Sequence, residues 1–468
     1  MSDIWKWTAT ETAARVASGD VTALEVAEAT LARIAEVEPA LNALSEVTEA
    51  IALEAADAVD TAYANGEALG PLAGVPITTK NNVDQSGTLN TGGMAAAKDN
   101  RCAQDSPMVA NLKRAGAVVV GRTNVPAFSF RWFTDTDLHG RTYNPHGRTL
   151  SPGGSSGGAG VAVATGMGPI AHGNDIGGSI RFPAYANGVV GLRATVGRVP
   201  TGNPSGDGRR AISSQLITAD GPLARSVADL RLGLNAMSGP DPRDPQHVPM
   251  PAVGHGAVPA HIGLVRGSGL GTPAAETVDA LERAAHALEA AGSSVEEITM
   301  PRFEDAFDIW LKLVLHATYH HYGEAIRTCG DRALIHKIEM ARQILPEISG
   351  GEALDLWTER LQIMRDWSLV FDRFPVVLMP VSYRHGLEID ADQGDAASLE
   401  QLFHDQSPLL ATALLGHPGL SVPTGLAADG KPTGVQLAAR WWDEATLLAA
   451  GQVIEDAMPA VHPIDPRQ

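Results

Sequence analysis

Three short stretches of this sequence hold residues that together can do chemistry. In "GNDIGGSIRFPA", residues 173–184, Ser179 stands behind Gly177-Gly178, with Asp175 and Arg181 to either side. A Gly-Gly pair opens backbone conformations closed to residues with a Cβ, and successive N–H groups can then converge on an anion. A hydroxyl beside such a nest suits acyl transfer, because the attacked carbonyl oxygen becomes an oxyanion. Taken alone, Gly-Gly-Ser is an ordinary turn, and it is not the Gly-x-Ser-x-Gly elbow of α/β-hydrolases. In "SPGGSSGGAGVAVATGMG", residues 151–168, Ser155 precedes a run of small residues. By itself that stretch fits a close-packed glycine turn, a phosphate cradle or a working hydroxyl. A Walker loop would end in Gly-Lys-Ser/Thr, and Gly-Gly-Ala stands here instead.

The third stretch, "AGVPITTKNNVDQSG" at 73–87, puts Lys80 at the end of an apolar strand, flanked by Thr78, Thr79, Asn81 and Asn82. A lysine at a strand end is usually a surface residue. As a base it must be neutral, and at a pKa of ~10.4 only about one lysine in 2,500 is neutral at pH 7. Lowering that pKa by ~3 units takes about 4 kcal/mol of differential stabilisation, which burial and neighbouring groups can supply. Histidine offers a rival base. His172 lies seven residues before Ser179, but closeness in sequence is a poor guide, and a packed histidine is the plainer reading. His320-His321 and His417 lack a metal-ligand pattern such as His-Glu-x-x-His. "GLVRGSGLG" falls short of Gly-x-Gly-x-x-Gly and is read as a turn.

Taken together, the three stretches resemble the amidase signature family, whose members include fatty acid amide hydrolase and the glutamine-hydrolysing subunit of tRNA amidotransferases. The resemblance runs from about residue 5 to 455, through "GVPITTKNNVDQSG", "GRTNVPAFSF", "SPGGSSGGAGVAVATG", "GNDIGGSIRFPAYANGVVGLRATVGRVP", "GPLARSVADL" and "GHPGLSVPTG…GKPTGVQLAAR". It implies a Ser-cisSer-Lys triad: Ser179 as nucleophile, Ser155 after a cis peptide bond as relay, and neutral Lys80 as base and then acid. Backbone N–H groups of Ile176, Gly177, Gly178 and Ser179 would form the oxyanion hole, with Asp175 and Arg181 bracing the loop. By position Phe130 resembles a substrate-contacting aromatic of the family, and Trp132 and Phe133 are candidates for the same acyl pocket or for plain core packing. The sequence departs from the family at Asn174, where Thr is commoner, at Arg193 (Lys) and at Ala194 (Pro). These departures bear on subfamily and substrate. The implied fold is α/β, a large mixed twisted β-sheet sandwiched between α-helices. The implied reaction is carboxamide hydrolysis without metal or cofactor, on a small-molecule amide. A homodimer is the family-based expectation. Two other readings stand beside it: the glutamine-hydrolysing subunit of an amidotransferase-type complex, and a non-catalytic phosphate- or nucleotide-binding module.

The elements that must position these residues are partly visible. "TATETAARVASGDVTALEVAEATLARIAEV" repeats apolar residues at helical spacing, with Thr8 and Thr22 as caps. A further helix ends at Asn65-Gly66. "AGAVVVGRTNVP" reads as a buried strand, and "HIGLVRG", "TPAAETVDALERAAHALEAAG" and "SSVEEITMP" as β-α-β. We expect one amidase domain over 1–468: N-terminal helices at 1–66, a signature core at 67–240, a helical pocket cover at 303–374, and C-terminal strands and a helix at 375–468. The Pro-rich stretch 240–260 is read as a surface crossing within it.

Composition sets the outer limits. With 35 Lys+Arg against 54 Asp+Glu, the net charge is −19, which disfavours nucleic acid or an anionic membrane as partner. Cys102 and Cys329 are too few and too far apart for a disulfide framework or zinc cluster. The start lacks a basic segment followed by an apolar one, and no apolar run reaches the ~18 residues of a membrane span. A cytoplasmic protein is expected.

Overall fold

The fold follows from how apolar residues alternate along its strands. In "VVLMP", Val376 and Leu378 join one buried cluster, while Val377 and Met379 join another. A strand apolar on both faces is covered on both sides, and the computed structural model, which describes residues 3–206 and 208–467, has that architecture. Eleven strands form one mixed sheet between helical layers: β1 (Leu44–Val47), β2 (Pro76–Lys80), β3 (Val118–Thr123), β4 (Ile170–Asp175), β5 (Val190–Arg193), β6 (Ala219–Ala224), β7 (His261–Leu264), β8 (Ser294–Glu297), β9 (Val376–Pro380), β10 (Gly419–Leu426) and β11 (Pro432–Ala439). Their order across the sheet is β1-β3-β2-β4-β6-β5-β10-β11-β9-β7-β8.

Neighbours β3-β2-β4 are parallel, as are β9-β7-β8, and the strands between them run antiparallel. The Pro-rich 240–260 segment carries no strand or helix, and the strands on either side of it belong to the same sheet.

Local signals act as the sequence suggests. Thr8 and Thr22 cap their helices by accepting from Glu11 and Glu25 N–H groups, and Thr22 with Glu25 completes a capping box. Residues 303–374 fold as three helices, Phe303–Thr328, Arg332–Ile344 and Gly350–Arg373. Trp310 and Trp367 are buried in the second cluster, and Trp357 packs half-buried against it. No helix of the described residues is long and apolar enough to cross a membrane.

The parallel pairing of β2 with β4 brings their C-terminal ends side by side. Lys80 is the last residue of β2, and Asn174 and Asp175 are the last of β4. Crevices at such strand ends are where open α/β sheets hold ligands. Ser155 lies just before the helix Gly157–Thr165, whose glycines and alanines leave it thin enough to pack fully buried.

Candidate active site

The sheet brings Lys80, Ser155 and Ser179 to one place. Lys80 is fully buried, and its Nζ is 2.7 Å from Ser155 Oγ. The peptide bond between Gly154 and Ser155 is cis. Gly154 must be glycine: a Cβ there would lie 2.6 Å from the Arg131 carbonyl oxygen and 2.7 Å from Phe133 N. Ser179 stands at the junction of two cavities. It shares with Ser155 a polar one of about 490 Å3, which Asn82, Asn174 and Asp220 also line. Among the described residues, no hydrogen bond joins the two serine hydroxyls. The Lys80–Ser155 contact is formed, and the Ser155–Ser179 step is a matter of two hydroxyls facing common space.

Burial brings the Lys80 amine down to about 7, against the pull of Asp220 and Asp175, which favour its charged form. Sequence reasoning did not find its second partner. Asn174 Oδ1 accepts from Lys80 Nζ at 2.7 Å, and the Asn174 and Asn82 amides bond reciprocally at 3.0 and 3.2 Å. The Lys80 nitrogen is therefore fixed between Ser155 and an amide carbonyl that is itself held. The one signal of this in the sequence is the departure from Thr to Asn at position 174.

Asp175 and Arg181 brace the loop. Arg181 Nε and Nη2 each donate to an Asp175 oxygen at 3.0 Å, and both side chains are fully buried. Although burial alone would raise the Asp175 pKa, Arg181, Arg193 and the Gly178 N–H hold it well below the usual carboxylate range.

Two expectations need correction. The Gly178 N–H donates to Asp175 Oδ1 at 2.7 Å, so it is not available to an oxyanion. Asp175 closes a tight turn back onto its own loop, as Asp side chains do, and the N–H groups of Ile176, Gly177 and Ser179 are left uncommitted among the described residues. Phe133 does not line the acyl-sized cavity. It is buried and borders a separate small cavity with Asp135 and Arg141, because the irregular 130–133 turn points it away. Phe130 and Trp132 do line the apolar cavity next to Ser179, with Ile176, Trp310, Leu315 and Phe403.

Two indoles hold the loop from outside. Trp132 Nε1 donates to the Gly177 carbonyl at 2.9 Å, and Trp310 Nε1 donates to the Ile176 carbonyl at 2.8 Å. Trp310 sits so close that a Cβ on Gly177 would fall 2.5 Å from its ring.

The histidines lie elsewhere or serve other ends. His172 is buried, its Nδ1 accepting from the Lys80 backbone N–H at 3.4 Å and its Nε2 facing Asp220 at 3.4 Å. Burial lowers its pKa, so it is held neutral. His417 packs among Trp367 and Phe371, and His320 and His321 contact each other and neighbouring rings.

Comparison with known proteins agrees with this geometry. The family described as Amidase matches residues 25–448. An indoleacetamide hydrolase of Bradyrhizobium diazoefficiens is 41% identical, covering 97% of this chain and 87% of its own. The A chain of a Synechococcus glutamyl-tRNA(Gln) amidotransferase is 34% identical, with 94% of each chain covered. A crystal structure of a bacterial aryl acylamidase of the amidase signature family superposes with a TM-score of 0.86, at 28% identity, over 98% of this chain and 97% of that one. The chain belongs to the amidase signature family and is an amide-hydrolysing enzyme.

Proposed function

We propose that Ser179 is the nucleophile, Ser155 the relay and Lys80 the base of this hydrolase, acting on amides of arylacetic type. The observation that carries the reading is the 2.7 Å contact between a buried, neutral-leaning Lys80 amine and Ser155 Oγ, in a cavity shared with Ser179. Neutral Lys80 takes the Ser155 proton as Ser155 takes that of Ser179, and Ser179 Oγ bonds to the amide carbon. The oxyanion is met by the N–H groups of Ile176, Gly177 and Ser179. When the C–N bond breaks, the proton returns through Ser155 to the leaving nitrogen, giving amine or ammonia and an acyl-enzyme. Water then repeats the sequence in the acyl group's place, releasing the carboxylate and free Ser179.

The acyl preference rests on the cavity lined by Phe130, Trp132, Ile176, Trp310 and Phe403, and on similarity to an indoleacetamide hydrolase. Glutamine, the alternative, would bring a polar acyl chain into those aromatic walls. Burying a ring-sized apolar group contributes about 1.5–3 kcal/mol, roughly 10- to 150-fold. We therefore expect kcat/KM for indole-3-acetamide and phenylacetamide to exceed that for acetamide and glutamine by that factor, read as released ammonia. Glutamine as the best substrate would transfer the protein to the amidotransferase reading.

The pH profile follows from Lys80. The base must be uncharged, so kcat/KM should fall about tenfold per pH unit well below pH 7 and level off above it. A profile flat from pH 5 to 9 would remove Lys80 from that role.

A further inference from the structure

The apolar cavity beside Ser179 is not apolar throughout. Lys337, on the helix Arg332–Ile344, lines it together with Trp132 and Phe403. The residue is 8% exposed, and its Nζ donates to the Phe130 backbone carbonyl. The ammonium stands 5.7 Å from the centre of the Trp132 ring and 5.8 Å from that of Phe403. Burial pushes its pKa down to about 8, so it keeps its charge at neutral pH.

The nearby acid is already engaged. Asp392 forms a two-pronged ion pair with buried Arg131, at 2.7 and 2.8 Å. Among the described residues no carboxylate lies within ion-pair reach of Lys337 Nζ. An ammonium has three N–H donors, and here one is met by a carbonyl while ring faces flank the group. A buried cation with donors to spare is expensive unless something completes its shell. A hydrocarbon acyl group would leave it short, whereas an oxygen acceptor brought in by the substrate would complete it.

We propose that Lys337 sets acyl specificity: the preferred substrate carries a hydrogen-bond acceptor at the end of its acyl group away from the amide. This deepens the arylacetic amide reading and rests on the acyl group occupying this cavity. The acceptor can be a neutral carbonyl or an ionised carboxylate, and matched compounds separate the two.

The test is kcat/KM for phenylacetamides bearing isopropyl, acetyl or carboxylate groups of similar shape at the meta or para position. In the wild-type enzyme at pH 7, the acetyl or the carboxylate compound should exceed its isopropyl counterpart by about 10- to 100-fold, the value of a charge-assisted hydrogen bond. Lys337→Met, close in volume and uncharged, should collapse or reverse that ratio. If the wild type favours isopropyl over both oxygenated compounds, or if Lys337→Met leaves the ratio unchanged, the proposal is overturned. The wild-type ratio decides the matter even if the variant does not fold. No hydrolysis of any compound would instead count against the arylacetic reading.

Discussion

Ser179→Ala should lower kcat by at least ~10⁴-fold, the scale on which removing the nucleophile of a catalytic triad is felt. The reason it should do little else lies in the loop. Asp175 and Arg181 hold the turn through groups that the substitution does not touch, and the N–H groups of Ile176, Gly177 and position 179 are backbone. The variant should keep its thermal midpoint and bind arylacetamides with little change. A fluorophosphonate should label wild-type protein once and the variant not at all. Retention of more than about 1% of kcat, on the same scale, would mean that another group attacks the amide.

Lys80→Met should be nearly as damaging, because groups that pass one proton act as a unit. Methionine keeps most of the volume and removes the amine, so Ser155 loses its 2.7 Å partner. The variant also leaves a signature in stability. With its pKa lowered to about 7 from 10.5, the buried amine binds a proton less readily in the folded state than in the unfolded chain. Between those values the unfolded state holds more protons, so wild-type stability should rise with pH across the window, by an amount of order 1–5 kcal/mol. Lys80→Met should lack that rise. Denaturant melts of both proteins from pH 7 to 10 would measure the difference, and parallel curves would show that Lys80 titrates as a solvent-exposed lysine does.

Much of this was open to reading from the residues, and the failures have physical causes. Capping and strand signals are local, so Thr8, Thr22 and Val118–Thr123 behave as written. By contrast, β6 has the sequence "ADGPLA", whose Gly221 and Pro222 suggest a loop. It is a strand because its neighbour crowds it: a Cβ on Gly221 would lie 2.0 Å from the Leu192 carbonyl oxygen. The triad was legible only as a constellation, since each of its residues alone fits an ordinary turn or strand end. The Asn82–Asn174 pairing spans 92 residues and has no local trace. The diversion of the Gly178 N–H was within reach of sequence reasoning, because an Asp three residues ahead of a glycine is a common turn-closing arrangement. Lys337 sits on a helix with charged neighbours, where a lysine reads as solvent-facing, and only the packed fold sets it against Phe130.

The indole of Trp310 has a practical bearing on redesign. The segment 303–374 is the natural place to exchange when a new substrate is wanted, yet this side chain reaches from it to the carbonyl of Ile176. Any transplanted segment has to return a donor to that same point, or the residues cradling the reacting carbonyl lose a prop. Libraries that randomise the cover while freezing position 310 should therefore yield more active clones than libraries that treat the two regions as separable.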